Sequence, residues 1–265
     1  MTAAIRVGTQ GWSYPDWIGV FYPPHSKQEH YLPFYAQVFD TVELDTTFYH
    51  PPKPSIVRSW AKHTPPSFRF AAKVPQRITH EARLAAMGEH LAAFVAALEP
   101  LGERLGPLLV QLPAEFQREQ GTLGLLDRFL ASAPSGLRLA VELRHRSWRH
   151  PSLTELLHRH GAALVWSEWR DLPPADEVTA DFLYLRWIGA REAVERFDRT
   201  QIDRSAELDR WQETIARALP EVREVWGYFN NHWAGHSPAS AHELKRRLGL
   251  PVAEPRALWP QPELW

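Results

Sequence analysis

Arg138-Leu139-Ala140-Val141-Glu142-Leu143-Arg144 alternates strictly, with Leu139, Val141 and Leu143 on one face and Ala140, Glu142 and Arg144 on the other. Such alternation marks a strand whose two faces meet different surroundings. A helical pattern follows from Leu153 to His160, and the next apolar run, Ala163-Leu164-Val165-Trp166, opens two residues later. A helix between two strands makes a crossover connection, which pairs the strands in parallel with right-handed chirality.

The same unit recurs on both sides. Strand-like runs precede it at Ile5 to Thr9, Thr41 to Asp45, Phe68 to Ala72 and Leu108 to Leu112, and follow it at Phe182 to Arg186 and Val225 to Phe229. Helical patterns are clearest at Glu81 to Leu98, Leu123 to Ala133, Ala206 to Leu219 and Pro238 to Leu248. The last has Ser237 as expected N-cap, Pro238 at the first helical position and Gly249 just beyond its end. Glu168 to Asp181 is rich in proline and acid, which predicts a short or absent helix after strand six. Eight strands is the number that closes a barrel, and no linker or composition break divides the chain. The expectation is an α/β fold, one TIM-like (β/α)8 barrel domain over residues 1–265 with an irregular segment after strand six.

Composition narrows the function classes. The 265 residues include no cysteine, which removes disulfides, thiolate nucleophiles and Cys-ligated metals. Thirty Lys+Arg against 31 Asp+Glu give a net charge of -1, which argues against nucleic acid as a partner. The basic stretch Arg144 to His150 around Trp148 has a nucleic-acid flavour, and Lys245-Arg246-Arg247 is another basic cluster, at a helix C-terminus where the dipole alone favours cations. No apolar run approaches the ~18 residues of a membrane span, and the start lacks a signal core, so the expected location is the cytoplasm, without a membrane partner. Twelve tryptophans are read mainly as packing, and 23 prolines as many rigid connections.

Several motifs together resemble the domain of unknown function 72 family of YecE-like proteins. They are Gly8-Thr9-Gln10-Gly11-Trp12-Ser13-Tyr14-Pro15-Asp16-Trp17, Gly19-Val20-Phe21-Tyr22-Pro23, Val42-Glu43-Leu44-Asp45-Thr46-Thr47-Phe48-Tyr49, Ile78-Thr79-His80, Leu109-Val110-Gln111-Leu112-Pro113, Val141-Glu142-Leu143-Arg144-His145, Ser147-Trp148 and Tyr228-Phe229-Asn230-Asn231. The resemblance implies a TIM-like barrel and a site, and names no substrate. Where members of the family carry an Asn-Ala pair near the start of the last helix, this chain has Ser240-Ala241.

Strand parity locates the expected site. The aliphatic face of each strand must meet the helices, so the opposite face points into the barrel. That places Glu43, Asp45, Lys73, Gln111, Glu142, Arg144 and Arg186 inward near the C-terminal strand ends. Gln10 and Trp12 continue the parity of strand one, Asn230 and Asn231 close the ring, and Thr47 and Tyr49 follow on the next loop. Three acids against three bases either make a satisfied ion-pair network or a binding cluster. As a functional cluster, Glu43 and Glu142 would transfer protons, with Asp45 and Lys73 beside them, while Arg144 and Arg186 clamp an anion. A phosphate-type site is a further expectation at Gly189, Arg191 and Ser237, in the loops after strands seven and eight. The expected ligand is a small polar or anionic molecule, either turned over by acid–base chemistry as in a hydrolase, lyase or isomerase, or simply bound. No cofactor is predicted. No histidine spacing assembles a metal site, although Glu43, Asp45, Glu142, Glu168, His80 and His145 leave a divalent-metal isomerase or nuclease open.

Overall fold

Eight parallel strands close on themselves: β1 (Ala4–Gln10), β2 (Thr41–Leu44), β3 (Arg69–Lys73), β4 (Leu105–Gln111), β5 (Leu139–Glu142), β6 (Ala163–Glu168), β7 (Phe182–Trp187) and β8 (Glu224–Phe229), with β8 pairing back onto β1. A computed structural model describes residues 3–85, 88–119, 121–168 and 174–260. Around the barrel lie α1 (Tyr31–Val38), α2 (Pro54–Lys62), α3 (Gly88–Leu98), α4 (Thr122–Ala131), α5 (Pro151–His160), α6 (Ser205–Ala218) and α7 (Ser237–Arg247). This is the expected TIM-like (β/α)8 architecture. Among the described residues no α-helix joins β6 to β7; residues 169–173 of the stretch expected to hold a short or absent helix lie outside the described residues. No described helix is long and apolar enough to cross a membrane.

The alternation read in the sequence sorts the core into two shells. Val42, Leu44, Phe70, Ala72, Val110, Val141, Leu183 and Leu185 join the large cluster shared with the helices. Ala71, Leu109, Ala140, Ala163, Val165, Phe182, Tyr184, Trp226 and Tyr228 fill the barrel interior. Small residues on β3, β5 and β6 thus make room for the rings of β7 and β8, which is how a barrel reaches native packing density. At the N-terminal end Glu224 pairs with Arg6 and Arg138, whose guanidiniums lie 4.8 and 5.4 Å from the centroid of the Trp226 ring. Trp17, Trp148, Trp166, Trp187, Trp226 and Trp233 are all fully buried, so these tryptophans do serve packing.

The β1–β2 ladder is short, with only Thr9 and Gln10 in register with Val42 and Glu43. Tyr35 of α1 bridges the gap: its hydroxyl donates to the Thr41 carbonyl at 3.0 Å and accepts from the Thr9 amide at 3.0 Å. Gly8 permits this closeness, since a Cβ there would stand 2.3 Å from the Thr41 oxygen.

Several local expectations need correction. The helix expected from Glu81 starts at Gly88; Arg77–Glu81 forms one π turn, and Arg83 and Leu84 take φ of 47° and 68°, which interrupts the helical path. Ser237 is the first residue of α7 rather than its N-cap, which is His236. Helices α1 and α2 escaped the periodicity reading: three aromatics crowd the eight residues of α1, and α2 follows a Pro51-Pro52 pair that reads as loop.

Gly8→Ala is expected to lower stability by about 1–3 kcal/mol through overpacking against Thr41 and Tyr35. The measurement is the urea midpoint, with the slope unchanged.

Candidate functional site

Parity points Glu43 from β2, Glu142 from β5 and Arg186 from β7 into the barrel, where the three side chains meet. Arg186 donates from Nη2 to Glu43 Oε1 at 2.8 Å, from Nε to Glu43 Oε2 at 3.0 Å and from Nη1 to Glu142 Oε2 at 2.5 Å. Tyr184 donates to Glu43 Oε2 at 2.7 Å, and Arg144 Nε donates to Glu142 Oε1 at 2.7 Å. Two acids and two arginines therefore alternate in a charge-neutral chain in which every carboxylate oxygen accepts at least one hydrogen bond.

Above this floor opens a cavity of about 860 Å³ at the C-terminal strand ends. Its walls include Gln10, Asp45, Lys73, Gln111, Arg144, Arg186, Asn230 and the loop residues Tyr14, Phe48, Tyr49, His80, Gly189, Arg191 and His232. Gln10 Oε1 accepts from Asn230 Nδ2 at 3.0 Å, linking β1 to β8 at the rim. Gln111 donates to the Leu112 carbonyl at 2.8 Å. Tyr49, 60% exposed, stands at the outer lip.

Six sequence expectations change. Glu43 and Glu142 face the axis as expected, but both are 0% exposed and lie beneath the cavity rather than in its wall, sealed by the arginines. Trp12 packs edge-on against Trp60 and Phe70 on the helix side, because Gly11 at φ 73° ends the strand alternation. Thr47 is buried, its hydroxyl donating to the Leu44 and Lys73 carbonyls at 2.8 and 2.7 Å. Ser237 is buried as well; its amide and hydroxyl both donate to Asn231 Oδ1, at 3.0 and 2.8 Å, so a side-chain oxygen already occupies the helix start where an anion was expected. Glu168 accepts the indole N–H groups of Trp211 and Trp233 and is a structural acid outside the mouth. Trp148 is buried on Phe116 with its N–H on the Phe116 carbonyl, which leaves no stacking platform for a base in that basic segment.

Asn231 has a double character. Its Oδ1 accepts from Trp17 Nε1 at 3.2 Å as well as from Ser237, which fixes the orientation of the amide. Its Nδ2 is buried without a partner, as is His232 Nδ1, and both residues line the cavity. Buried polar groups are nearly always satisfied, so orphans beside a cavity are informative. Ser240, at the position where the family resemblance expects asparagine, donates to the His236 carbonyl at 3.4 Å and does not line the mouth.

Electrostatics separates the floor from the wall. Burial would raise the Glu142 carboxyl, but Arg144 and Arg186 outweigh it and hold it at about 2. Burial opposes the charge of Arg186 too, yet Glu43 and Glu142 keep it firmly protonated. Lys73 behaves oppositely. Burial and then Arg186 press its amine down to about 7, against the partial support of Glu142 and Glu43. Its Nζ sits 3.7 Å from the centroid of the Phe48 ring. Burial and the neighbouring Glu43 raise the Asp45 carboxyl. Burial, with Lys73 and Arg144, holds His80 down at about 4, so its ring is neutral near pH 7.

Sequence reading did not assign Tyr184, Phe48, Tyr14 or His232 to the site. Tyr184 was legible as inward, and a buried tyrosine needs a hydrogen-bond partner, which the nearest inward acid would supply. The other three sit on loops, where no periodicity reports direction. Among the described residues no three His, Asp or Glu side chains converge as a metal site.

A closed parallel eight-stranded barrel with its polar groups gathered at the C-terminal strand ends defines a TIM-like (β/α)8 protein. The chain belongs to the family described as "Protein of unknown function DUF72", whose model matches residues 6–264. It is 34% identical over 166 residues to UPF0759 protein YecE of Escherichia coli K12, covering 61% of this chain and 58% of that protein. It is 31% identical over 157 residues to UPF0759 protein YunF of Bacillus subtilis 168, covering 57% of this chain and 54% of that one. The match thus spans little more than half the length of these curated relatives. The crystal structure of a DUF72 family protein from Thermotoga maritima superposes with a TM-score of 0.82 at 32% identity, covering 93% of this chain and 99% of the other.

Removing Arg186 strands two buried carboxylates. Arg186→Met is expected to cost about 3–5 kcal/mol at pH 7, with the deficit narrowing toward pH 4 as the stranded acids protonate. In the parent protein Glu142, depressed from 4.5 to about 2, contributes stability above pH 4.5 that is lost as pH falls toward 2. Urea melts across this range read both. Lys73 has the opposite sign: its charged form strains the fold fully below about pH 7, and the strain fades as pH rises toward 10.5. Lys73→Met is therefore expected to be more stable than the parent at pH 6, with the advantage gone near pH 10.5, in thermal melts.

Proposed function

We propose that the barrel mouth binds a small organic anion, with its oxyanion group at the β7–β8 side and its remainder toward Lys73. The observation that carries this reading is the unsatisfied Nδ2 of Asn231, a buried donor on a residue that lines the cavity, lacking an acceptor among the described residues. Three arginines, Arg144, Arg186 and Arg191, line that cavity together with Lys73, against two acids, Asp45 and Glu192. Carboxylates and phosphates match such a set, because charge-assisted hydrogen bonds are strongest to ionised acceptors. Neutral His232 adds a second unsatisfied ring nitrogen beside Asn231.

Acid–base chemistry at this mouth falls to Lys73 and Asp45, which line the cavity. Glu43 and Glu142 act through Arg186, fixing its guanidinium at the cavity floor by three hydrogen bonds. Their role is positioning.

Thermal melts and calorimetric titration with inorganic phosphate and with small phosphorylated and carboxylated compounds test the reading. A concentration-dependent rise in Tm is expected for anions and none for a neutral polyol of equal size. Arg191→Ala and Lys73→Met are each expected to weaken binding about 5- to 20-fold, the loss of one charge-assisted contact. An unchanged Tm and no heat across the whole anion panel sink the reading.

A further inference from the structure

We propose that Lys73 is a Schiff-base nucleophile, and that the molecule the mouth takes is an aldehyde or ketone bearing an anionic group. The proposal rests on the anion-binding reading above and deepens it by naming the substrate class and the group that attacks it.

The first observation is positional. Lys73 ends β3 inside the mouth, with Nζ against the Phe48 ring at 3.7 Å and in the wall of the cavity. Among the described residues no carboxylate lies within salt-bridge distance of Nζ and no hydrogen bond holds it, whereas Arg144 and Arg186 are both tied to acids. A lysine meant only to balance the floor would sit on Glu43 or Glu142. Those acids are already paired with arginine.

The second observation is the neighbouring charge. Arg186, from β7, is locked by Glu43 from β2 and Glu142 from β5, so a fixed cation stands permanently near Lys73, and Arg144 beyond β5 adds another. A lysine that is both desolvated and placed next to an immovable cation is the arrangement that activates amines for attack on carbonyls. Near neutral pH the amine at about 7 is substantially unprotonated.

The third observation is residue choice. Only five of the 30 basic residues are lysine, namely Lys27, Lys53, Lys62, Lys73 and Lys245. The mouth uses arginine for its other three cations, and arginine cannot deprotonate. Lys245, a buried lysine, lies within electrostatic reach of Asp40 and borders a different cavity on the N-terminal side.

The step balances without an outside reagent. The neutral Lys73 amine adds to the carbonyl carbon, forming a C–N bond and a carbinolamine. Both amine hydrogens pass to the former carbonyl oxygen, which leaves as water when the C–O bond breaks, giving the imine. Asp45, raised by burial and by Glu43, is the acid within electrostatic reach of Lys73 that can carry these protons and protonate the imine nitrogen. The anionic group of the substrate meets Arg191 across the cavity, beside Asn231.

Borohydride trapping tests this on the full chain. The protein is incubated at pH 7.5 with pyridoxal 5′-phosphate, reduced, digested and mapped by mass spectrometry across its five lysines. Parallel arms use pyridoxal, glyoxylate and glycolaldehyde phosphate. Expected is labelling of Lys73 at least about tenfold over Lys27, Lys53 and Lys62 in their exposed positions, competed by inorganic phosphate and absent from folded Lys73→Met. The glyoxylate and glycolaldehyde phosphate arms then separate a carboxylate-bearing from a phosphate-bearing carbonyl. Labelling of Lys73 no faster than of the exposed lysines, while phosphate still raises Tm, overturns the imine proposal and leaves the anion reading standing. Preferential labelling of Lys73 by pyridoxal and pyridoxal 5′-phosphate alike, without phosphate protection, supports the nucleophile and removes the anion reading.

Discussion

Arg186 grips two carboxylates from opposite sides of the barrel, and the C-terminal half of the interior is organised around that grip. Isolated charges in a barrel axis would each cost several kcal/mol. The cost is offset because Glu43 and Glu142 share one guanidinium, Arg144 completes the neutral chain, and Tyr184 satisfies the remaining strong acceptor site on Glu43. Such a chain sacrifices little when complete and much when any member is removed. It therefore sets the identities of five positions at once, four on three strands and Arg144 just beyond β5, and it fixes the cavity floor.

That rigidity has an energetic consequence one layer up. A neutral floor whose arginines face the cavity cannot neutralise another cation placed above it. Lys73 is desolvated by the same packing and receives only partial support from the acids below. The floor is thus stable through pairing, while the wall carries an amine whose charge the fold disfavours. Perturbed groups gather where a site has work to do, and strain of this kind is usually retained for function rather than for stability.

Period-two alternation made the barrel legible, along with the inward direction of Glu43, Lys73, Gln111, Glu142, Arg144 and Arg186. The strand face, a property of neighbouring residues, carries that information. The pairing partners were not legible, because they depend on register between strands distant in sequence: Glu43 and Glu142 meet only through Arg186, 44 residues beyond Glu142 and 143 beyond Glu43. The errors cluster where strand geometry ends. At Trp12 one left-handed glycine turned a predicted inward ring toward the helices, and at Thr47 a 3-10 turn buried a hydroxyl expected to meet ligand. Ser237 failed for a related reason, since Asn231 reaches the helix start from the preceding turn.

The two readings weighed for the six mouth charges, an ion-pair network and a binding cluster, divide the group between them. Four of the six, Glu43, Glu142, Arg144 and Arg186, form the network. Asp45 and Lys73 remain in the cavity wall with raised acid and lowered base, each shifted toward its neutral form. A carboxyl raised and an amine lowered in one cavity are closer in proton affinity than the free groups, which favours transfer between them. The satisfied network thus supports the poised pair: it holds Arg186 in place, and the charge of Arg186 adds to burial in lowering the Lys73 amine.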